Sequence, residues 1–173
     1  MVNMFRDLNK EEIDCRIAQV KNSGLSLLLY KDARVDQDIL DETVGPFGWQ
    51  REHKELKGNI YCGISIWDVD QKQWVTKWDC GKESFTEAEK GEASDSFKRA
   101  GFNWGIGREL YTAPFIWIPI DKCNIKESAD KKKYTCYDKF SIEKIAINNK
   151  EITGIAIKND TTKQRVFVWQ KGE

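Results

Sequence analysis

Residues 60–78, IYCGISIWDVDQKQWVTKW, decide the fold of this chain. Their apolar residues at positions 60, 62, 64 and 66 alternate with other residues, which is the period of a β-strand with one buried face. Residues 68–71 have the composition of a turn, and residues 73–78 then have the pattern of a second strand. Residues 49–54, joined through Gly58-Asn59, predict a third strand. The sequence therefore predicts an antiparallel meander of three strands.

A helix is predicted directly after this meander. Thr86 can cap it, because Glu89 follows three residues later as in a capping box. Gly105-Ile106-Gly107 indicates either room for tight packing or the end of this helix. Its buried stripe is predicted from apolar and small residues at helical spacing, namely Ala93, Phe97, Ala100, Gly101 and Trp104.

A second helix is predicted before the meander, beginning at Arg34 and ending at the turn formed by residues 45–48, GPFG. Residues 25–30 precede it as a short apolar strand. At the start of the chain, Asn9 and Glu12 have capping-box spacing, and Ile13, Ile17 and Val20 follow at helical spacing, which predicts an N-terminal helix within residues 1–24. The inward side of the second helix is predicted from Val35, Ile39, Leu40 and Val44.

The C-terminal third is predicted to be a sheet. Pro114 and Pro119 indicate an extended exit from the core, and the polar, lysine-rich residues 121–133 predict a loop. Residues 134–147, 151–158 and 165–169 predict three strands, with a turn at 148–150. The fold class is therefore α+β, an antiparallel meander packed against helices. We expect one domain over residues 1–173, with a core at 25–120 and C-terminal strands within 134–170.

The charge balance limits the possible functions. Lysine plus arginine and aspartate plus glutamate number 28 each, so a nucleic-acid-binding chain of this composition has to concentrate its positive charge locally. No apolar run approaches the roughly 20 residues of a membrane span, and the first residues lack the apolar stretch of a secretion signal. We therefore expect a cytoplasmic protein.

The cysteines and the single histidine argue against several kinds of site. No C-x-x-C pair is present, so we expect reduced thiols and no metal site. His53 is the only candidate base for a triad, and no motif surrounds it. No cofactor is expected. The five cysteines are Cys15, Cys62, Cys80, Cys123 and Cys136.

Residues 87–111, EAEKGEASDSFKRAGFNWGIGRELY, contain the densest group of candidate binding residues. Lys90, Ser94 and Lys98 are four residues apart and share one helix face. Arg99 lies beside that face, and Arg108 follows the glycines. Such a row of cations can contact a phosphate backbone. The interspersed glutamates and aspartate equally fit a solvated surface, and composition alone favours that interpretation.

Other functional patterns in the chain are weaker. Gly105-Ile106-Gly107 lacks the G-K-[ST] of a P-loop and follows a helix, so neither a P-loop nor a dinucleotide fingerprint fits. The seven tryptophans could stack on single-stranded bases, but core or interface positions are the commoner use. The acidic clusters carry no partner set for metal-dependent cleavage. Residues 131–133, three lysines, read as a solvated loop with a possible weak role in holding a second DNA strand.

The segment from Glu87 through Ala100 and on through Trp104-Gly105-Ile106-Gly107-Arg108 resembles the RAD fifty-two family of single-strand annealing proteins, and its phage members above all. Residues 33–50 are similar to that family's first helix and turn, and residues 78–81 match in placement. The tail from 137 to 145 resembles the phage branch. The resemblance covers roughly residues 25 to 170.

This resemblance implies a non-hydrolytic recombinase that binds single-stranded DNA and anneals complementary strands in homologous recombination and double-strand break repair. It implies a homo-oligomer, ring or helical filament, with a positively lined groove that holds the DNA phosphates and leaves the bases open. A phage exonuclease or a host single-strand-binding protein could be its partner, and the bacterial cytoplasm its location. The DNA-binding residues that the motif implies are Lys98, Arg99 and Arg34, with Arg108 added and Lys82 and Lys90 as weaker candidates.

One feature of the first-helix turn departs from the family pattern, and two other functions remain as alternatives. Eukaryotic members often carry an aromatic residue directly after the glycine of the first-helix turn, where this chain has Pro46 followed by Phe47. The alternatives to an annealing protein are a sequence-neutral binder that protects single-stranded DNA without annealing it, and a small nuclease using the acidic clusters. The three differ in whether strand pairing is accelerated, slowed, or accompanied by loss of the DNA.

Overall fold

The computed structural model describes residues 5–81, 88–129 and 133–172, without the side chains of 88–90. The chain divides into two compact units: residues Asp32–Arg108 with Met1–Asp7, and residues Leu8–Lys31 with Glu109–Glu173. The helices are α1, Ala33–Val44, and α2, Ala88–Trp104. The strands are β1 Asp14–Lys21, β2 Gly24–Tyr30, β3 Trp49–Leu56, β4 Asn59–Asp68, β5 Gln73–Cys80, β6 Ile116–Pro119, β7 Ile125–Glu127, β8 Tyr134–Cys136, β9 Phe140–Asn148, β10 Glu151–Asn159 and β11 Gln164–Gln170.

The first unit is built on the predicted meander. Strands β3, β4 and β5 form an antiparallel sheet in that order, and α2 packs against β4 and β5. The alternating residues Cys62, Ile64 and Ile66 are buried, and Phe97 and Ala100 of α2 are buried too. Burial of each large apolar side chain contributes about 1.5–3 kcal/mol. An antiparallel sheet packed against a helix is an α+β arrangement, so the predicted fold class is confirmed.

The predicted glycine-rich end of α2 is also confirmed. Gly105 has a φ of +99°, a left-handed conformation that favours glycine. Its N–H donates to the carbonyl of Phe102, and the N–H of Ile106 donates to the carbonyl of Gly101. This pair of hydrogen bonds is a Schellman motif, which satisfies two helix-end carbonyls. The predicted cap at Thr86 lies outside the described residues.

The second unit contains a six-stranded sheet with the order β11-β10-β9-β1-β2-β6. Its core includes Leu25 and Leu27 of β2 and Ile155 and Ile157 of β10. The buried carboxylate of Glu109 accepts a hydrogen bond from the N–H of Leu8 at 2.7 Å and lies 3.8 Å from the Lys150 ammonium. These contacts attach the first residues of this unit to its C-terminal part.

The predicted N-terminal helix within residues 1–24 is wrong. The capping box at Asn9 exists, and the N–H of Asn9 donates to the Glu12 carboxylate at 2.7 Å, but it begins only a three-residue 3-10 turn. The following residues form β1, whose pairing with β2 shifts register between Ile17 and Gln19. Such a bulge inserts one residue, so Ile17 and Val20 come to the same face at a spacing of three. That spacing imitates a helical stripe.

The predicted loop at residues 121–133 is wrong in part, because residues 125–127 form β7 and pair with β8. The predicted strand over 134–147 is interrupted at 137–139 and forms the separate strands β8 and β9. The strands predicted at 151–158 and 165–169, and the turn before the first, are confirmed. Within the described part of the chain, no helix combines the length and apolar character needed to cross a membrane.

Candidate nucleic-acid interface

Asp32 organises the start of α1. Its Oδ1 accepts the backbone N–H of Arg34 at 2.9 Å, as expected of an N-cap residue, and the same oxygen accepts the side-chain Nε–H of Arg34 at 2.9 Å. Only Nε of the guanidinium bonds Asp32, and the Arg34 side chain remains 83% exposed. The structure therefore presents Arg34 to solvent in a fixed orientation at the beginning of α1.

Lys98, from the middle of α2, acts on the same carboxylate. The pKa of Asp32 is lowered chiefly by the hydrogen bond from the Arg34 side chain, then by the Arg34 backbone N–H, and additionally by the charge of Lys98. Asp32 in turn raises the pKa of Arg34 through the same hydrogen bond. The fold thus brings together two cations that the sequence analysis selected from distant parts of the chain.

Arg99 forms an ion pair with a different carboxylate, that of Asp95. Its Nε donates to Oδ2 of Asp95, one turn earlier on α2, at 2.8 Å, and both side chains are about one-third exposed. An ion pair at this spacing is common on solvated helix faces and contributes little to stability. It also fixes the guanidinium at the surface of α2. Arg99 is therefore placed beside Lys98 but is partly neutralised.

Arg108 has a structural task that the sequence did not reveal. Its guanidinium donates to the carbonyl of Phe102 at 2.9 and 3.1 Å and to that of Asn103 at 3.2 Å. These carbonyls belong to the last turn of α2, at the negative end of the helix dipole, where a cation is favourable. Lys77 of β5 donates to the Asn103 carbonyl as well, at 3.0 Å. The predicted DNA contact of Arg108 stays a prediction.

The remaining predicted cations are placed only partly. Lys82 lies outside the described residues, and Lys90 lies in α2 without a described side chain. Of the three lysines at 131–133, the first two also lie outside the described residues. The contributions of these residues to a binding site stay predictions.

Arg51 is a candidate that the sequence analysis missed. Its guanidinium carbon lies 4.9 Å from the centre of the Phe97 ring, a cation–π contact between β3 and α2. Phe97 immediately precedes Lys98 in α2. The alternation of β3 could have placed Arg51 on the helix side of the sheet, but the contact with Phe97 depends on packing between distant segments.

These residues give the first unit a local positive charge. Four cations, Arg34, Arg51, Lys98 and Arg99, stand against three carboxylates, Asp32, Asp38 and Asp95, which leaves a net charge of about +1. This local excess occurs in a chain whose total formal charge is zero. A surface of this kind can contact phosphates without any reactive group.

Three tryptophans occupy the face of the sheet opposite α2. Trp67, Trp74 and Trp78 are 36–41% exposed, and the rings of the first two meet edge to face at 5.4 Å. The ammonium of Lys54 lies 4.7 Å from the Trp78 ring centre. These three rings are partly open to solvent, so they do not serve the core of this chain, and the predicted interface position stays a prediction for them.

Comparisons with known proteins agree with the resemblance seen in the sequence. Residues 3–129 match the model of the Rad52/22 family of double-strand break repair proteins. The single-stranded DNA-binding protein DdrA of Deinococcus radiodurans is 36% identical to this chain over 100 residues. The aligned region covers 55% of this chain and 45% of DdrA, so the chain spans less than half of that relative.

Proposed function

Because this chain belongs to the Rad52/22 family of double-strand break repair proteins, we propose that it binds single-stranded DNA and anneals complementary strands. One observation carries the proposal: within the family-matched segment, Arg34 bonds the Asp32 carboxylate and the charge of Lys98 acts on the same carboxylate, although the two cations are distant in the sequence. A solvated helix surface does not require that convergence. A phosphate backbone is bound by positive side chains, and here two of them come from different helices.

Arg34, Lys98 and Arg99 are the proposed backbone contacts, and Arg51 is added to them. Arg108, Lys82 and Lys90 stay as weaker candidates. The Asp32 and Asp95 carboxylates hold two of the arginines in position at the surface. Because arginine and lysine contact phosphate without reading bases, we expect binding that is largely independent of sequence.

The proposed mechanism requires no hydrolysis. Pairing of complementary bases supplies the free energy, and the protein reduces the repulsion between two phosphate backbones while it holds the bases accessible. The proposed assembly is a homo-oligomer, because repetition of a modest site multiplies its affinity for a continuous strand. A chain with a net charge of zero can bind DNA in this way.

The test replaces both Lys98 and Arg99 by alanine and measures binding to a fluorescently labelled oligothymidine. We expect affinity to fall severely while the circular dichroism spectrum and melting temperature stay unchanged, because both side chains are at the surface of α2. Normal affinity in this folded variant would refute the site.

A binder that protects single-stranded DNA without annealing it is the second candidate. The exposed Trp67, Trp74 and Trp78 favour it, because exposed aromatic rings on a sheet can stack on bases and keep them from pairing. Such a protein should slow the pairing of complementary strands, whereas an annealing protein should accelerate it. Replacing Trp78 by leucine should weaken binding only if bases stack there.

A further inference from the structure

Strand β3 forms an open edge of the three-stranded sheet. It pairs with β4 on one side, and residues 50–56 are all exposed. It is eight residues long and contains no proline. A long exposed edge offers a row of backbone donors and acceptors to another strand, and natural proteins usually block such edges.

The pairing with β4 determines which backbone groups of β3 face outward. The carbonyl of Gly48 accepts a hydrogen bond from the N–H of Trp67, so even-numbered residues of this strand face β4. The outward groups therefore belong to Trp49, Arg51, His53 and Glu55. Within residues 5–81, 88–129 and 133–172, no group hydrogen-bonds the outward N–H and C=O of the last three.

The charges along this edge are self-complementary. Residues 51–55 read Arg-Glu-His-Lys-Glu. If β3 pairs antiparallel with β3 of a second copy, with His53 opposite its equivalent, Arg51 stands opposite Glu55. In the same register, Glu52 stands opposite Lys54. Opposite charges in directly facing positions stabilise a strand pair, and like charges destabilise it.

No neighbouring register preserves this match. Because only odd-numbered residues of β3 carry outward groups, the second strand can shift only in steps of two residues. A shift of two residues brings Glu52 opposite Glu52 in one direction, or Lys54 opposite Lys54 in the other, of the second copy. We propose that β3 is a self-association edge, which pairs antiparallel with β3 of a second copy of this chain about a two-fold axis at His53. Three hydrogen-bonded residue pairs would form there, with about six main-chain hydrogen bonds.

This contact has a consequence for annealing, and that consequence rests on the proposed function. A two-fold axis reverses every direction perpendicular to it, so strands that cross the two subunits perpendicular to the axis, with the same polarity in each subunit, would run antiparallel to one another. Complementary strands pair antiparallel. An isologous contact closes after two copies, so a ring or filament needs a different surface for its own subunit contacts.

The test uses charge reversal at Glu52 and Lys54, which lie on the sheet face away from α2. Within one chain their side chains meet at 3.1 Å, so each reversal also breaks that exposed pair. The variant Glu52→Lys places lysine opposite Lys54 of its copy, and Lys54→Glu places glutamate opposite Glu52. We expect each variant alone to sediment as a smaller species than the wild type in analytical ultracentrifugation.

An equal mixture of the two variants is the decisive sample. In a mixed pair every facing position again carries opposite charges, while the pair within each chain stays broken. We expect the mixture to recover the sedimentation coefficient of the wild type, and the double variant E52K/K54E to recover it as well. Single variants that sediment like the wild type, or a mixture that stays dissociated, would overturn the proposal.

Oligothymidine binding, measured on the same samples, separates this proposal from the proposed function. Neither Glu52 nor Lys54 belongs to the proposed phosphate contacts, and DNA binding is compared in Glu52→Lys because Lys54 also contacts the Trp78 ring. Loss and recovery of association supports the β3 pairing even if DNA binding proves absent. Unchanged association together with normal DNA binding overturns the pairing and leaves the proposed function standing.

Discussion

The replacement of Lys98 by glutamine tests whether this side chain contacts a phosphate. Lys98 is half-buried in α2 and acts on the Asp32 carboxylate together with Arg34. Glutamine keeps most of the length of the side chain and its helix propensity, so the change removes the charge without removing the helix. The same change at Lys21, an exposed lysine of β1 in the other compact unit, is the matched control.

The expected effect follows from counterion release. On a single strand, each phosphate contact contributes about −0.7 to the slope of log affinity against log salt. The loss of one contact should therefore weaken binding about eightfold at about 50 mM salt and about threefold at about 200 mM. The double change K98Q/R99Q should weaken it about 65-fold and about tenfold under the same conditions.

The assay is a fluorescence-anisotropy titration of labelled oligothymidine, repeated at four or five salt concentrations. We expect the slope to become shallower by about 0.7 in K98Q and by about 1.4 in the double variant, for each subunit bound. K21Q should keep the slope of the wild type. A weaker affinity with an unchanged slope in K98Q would show that the lost interaction is not a phosphate contact.

Three further results are expected. Asp32→Asn should keep the cap of α1 but remove a negative charge beside Arg34 and Lys98, so affinity for single-stranded DNA should rise about twofold to threefold in titrations; lower affinity would contradict it. Gly101→Ala should lower the thermal melting temperature, at a cost of about 1–3 kcal/mol, because its Cβ would lie 2.4 Å from Oδ1 of buried Asp36; an unchanged melting temperature would contradict this. Burial raises the pKa of the Cys62 thiol to about 11, so this fully buried thiol stays protonated near pH 8 and should react with a disulfide reagent only after unfolding; rapid native labelling would contradict that.

The strands and helices of the first unit could be predicted from sequence because their signals are local. Alternation of Cys62, Ile64 and Ile66 depends only on the pleat of one strand. The spacing of Phe97 and Ala100 depends only on the helical period. The predicted N-terminal helix was wrong because the bulge after Ile17 gives the apolar residues of a strand the spacing of a helix. Only the pairing of β1 with β2 reveals this bulge.

The sequence was enough to predict which cations belong to the candidate site, but not which side chains they contact. The sequence motif indicated Arg34, Lys98 and Arg99. The shared carboxylate of Asp32, the ion pair of Arg99 with Asp95 and the position of Arg51 over Phe97 depend on side-chain packing, which no sequence period encodes. The helix-end contacts of Arg108 show the converse, since a cation inside the motif bonds its own helix.

Annealing is tested most simply by the rate at which two complementary dye-labelled oligonucleotides pair, measured without ATP or metal across a titration of the protein. We expect the wild type and K21Q to accelerate pairing well above the spontaneous rate, and K98Q/R99Q to lose this acceleration. Pairing that is slowed or unchanged by a wild-type protein that binds the strands would contradict annealing and favour a protective single-strand binder.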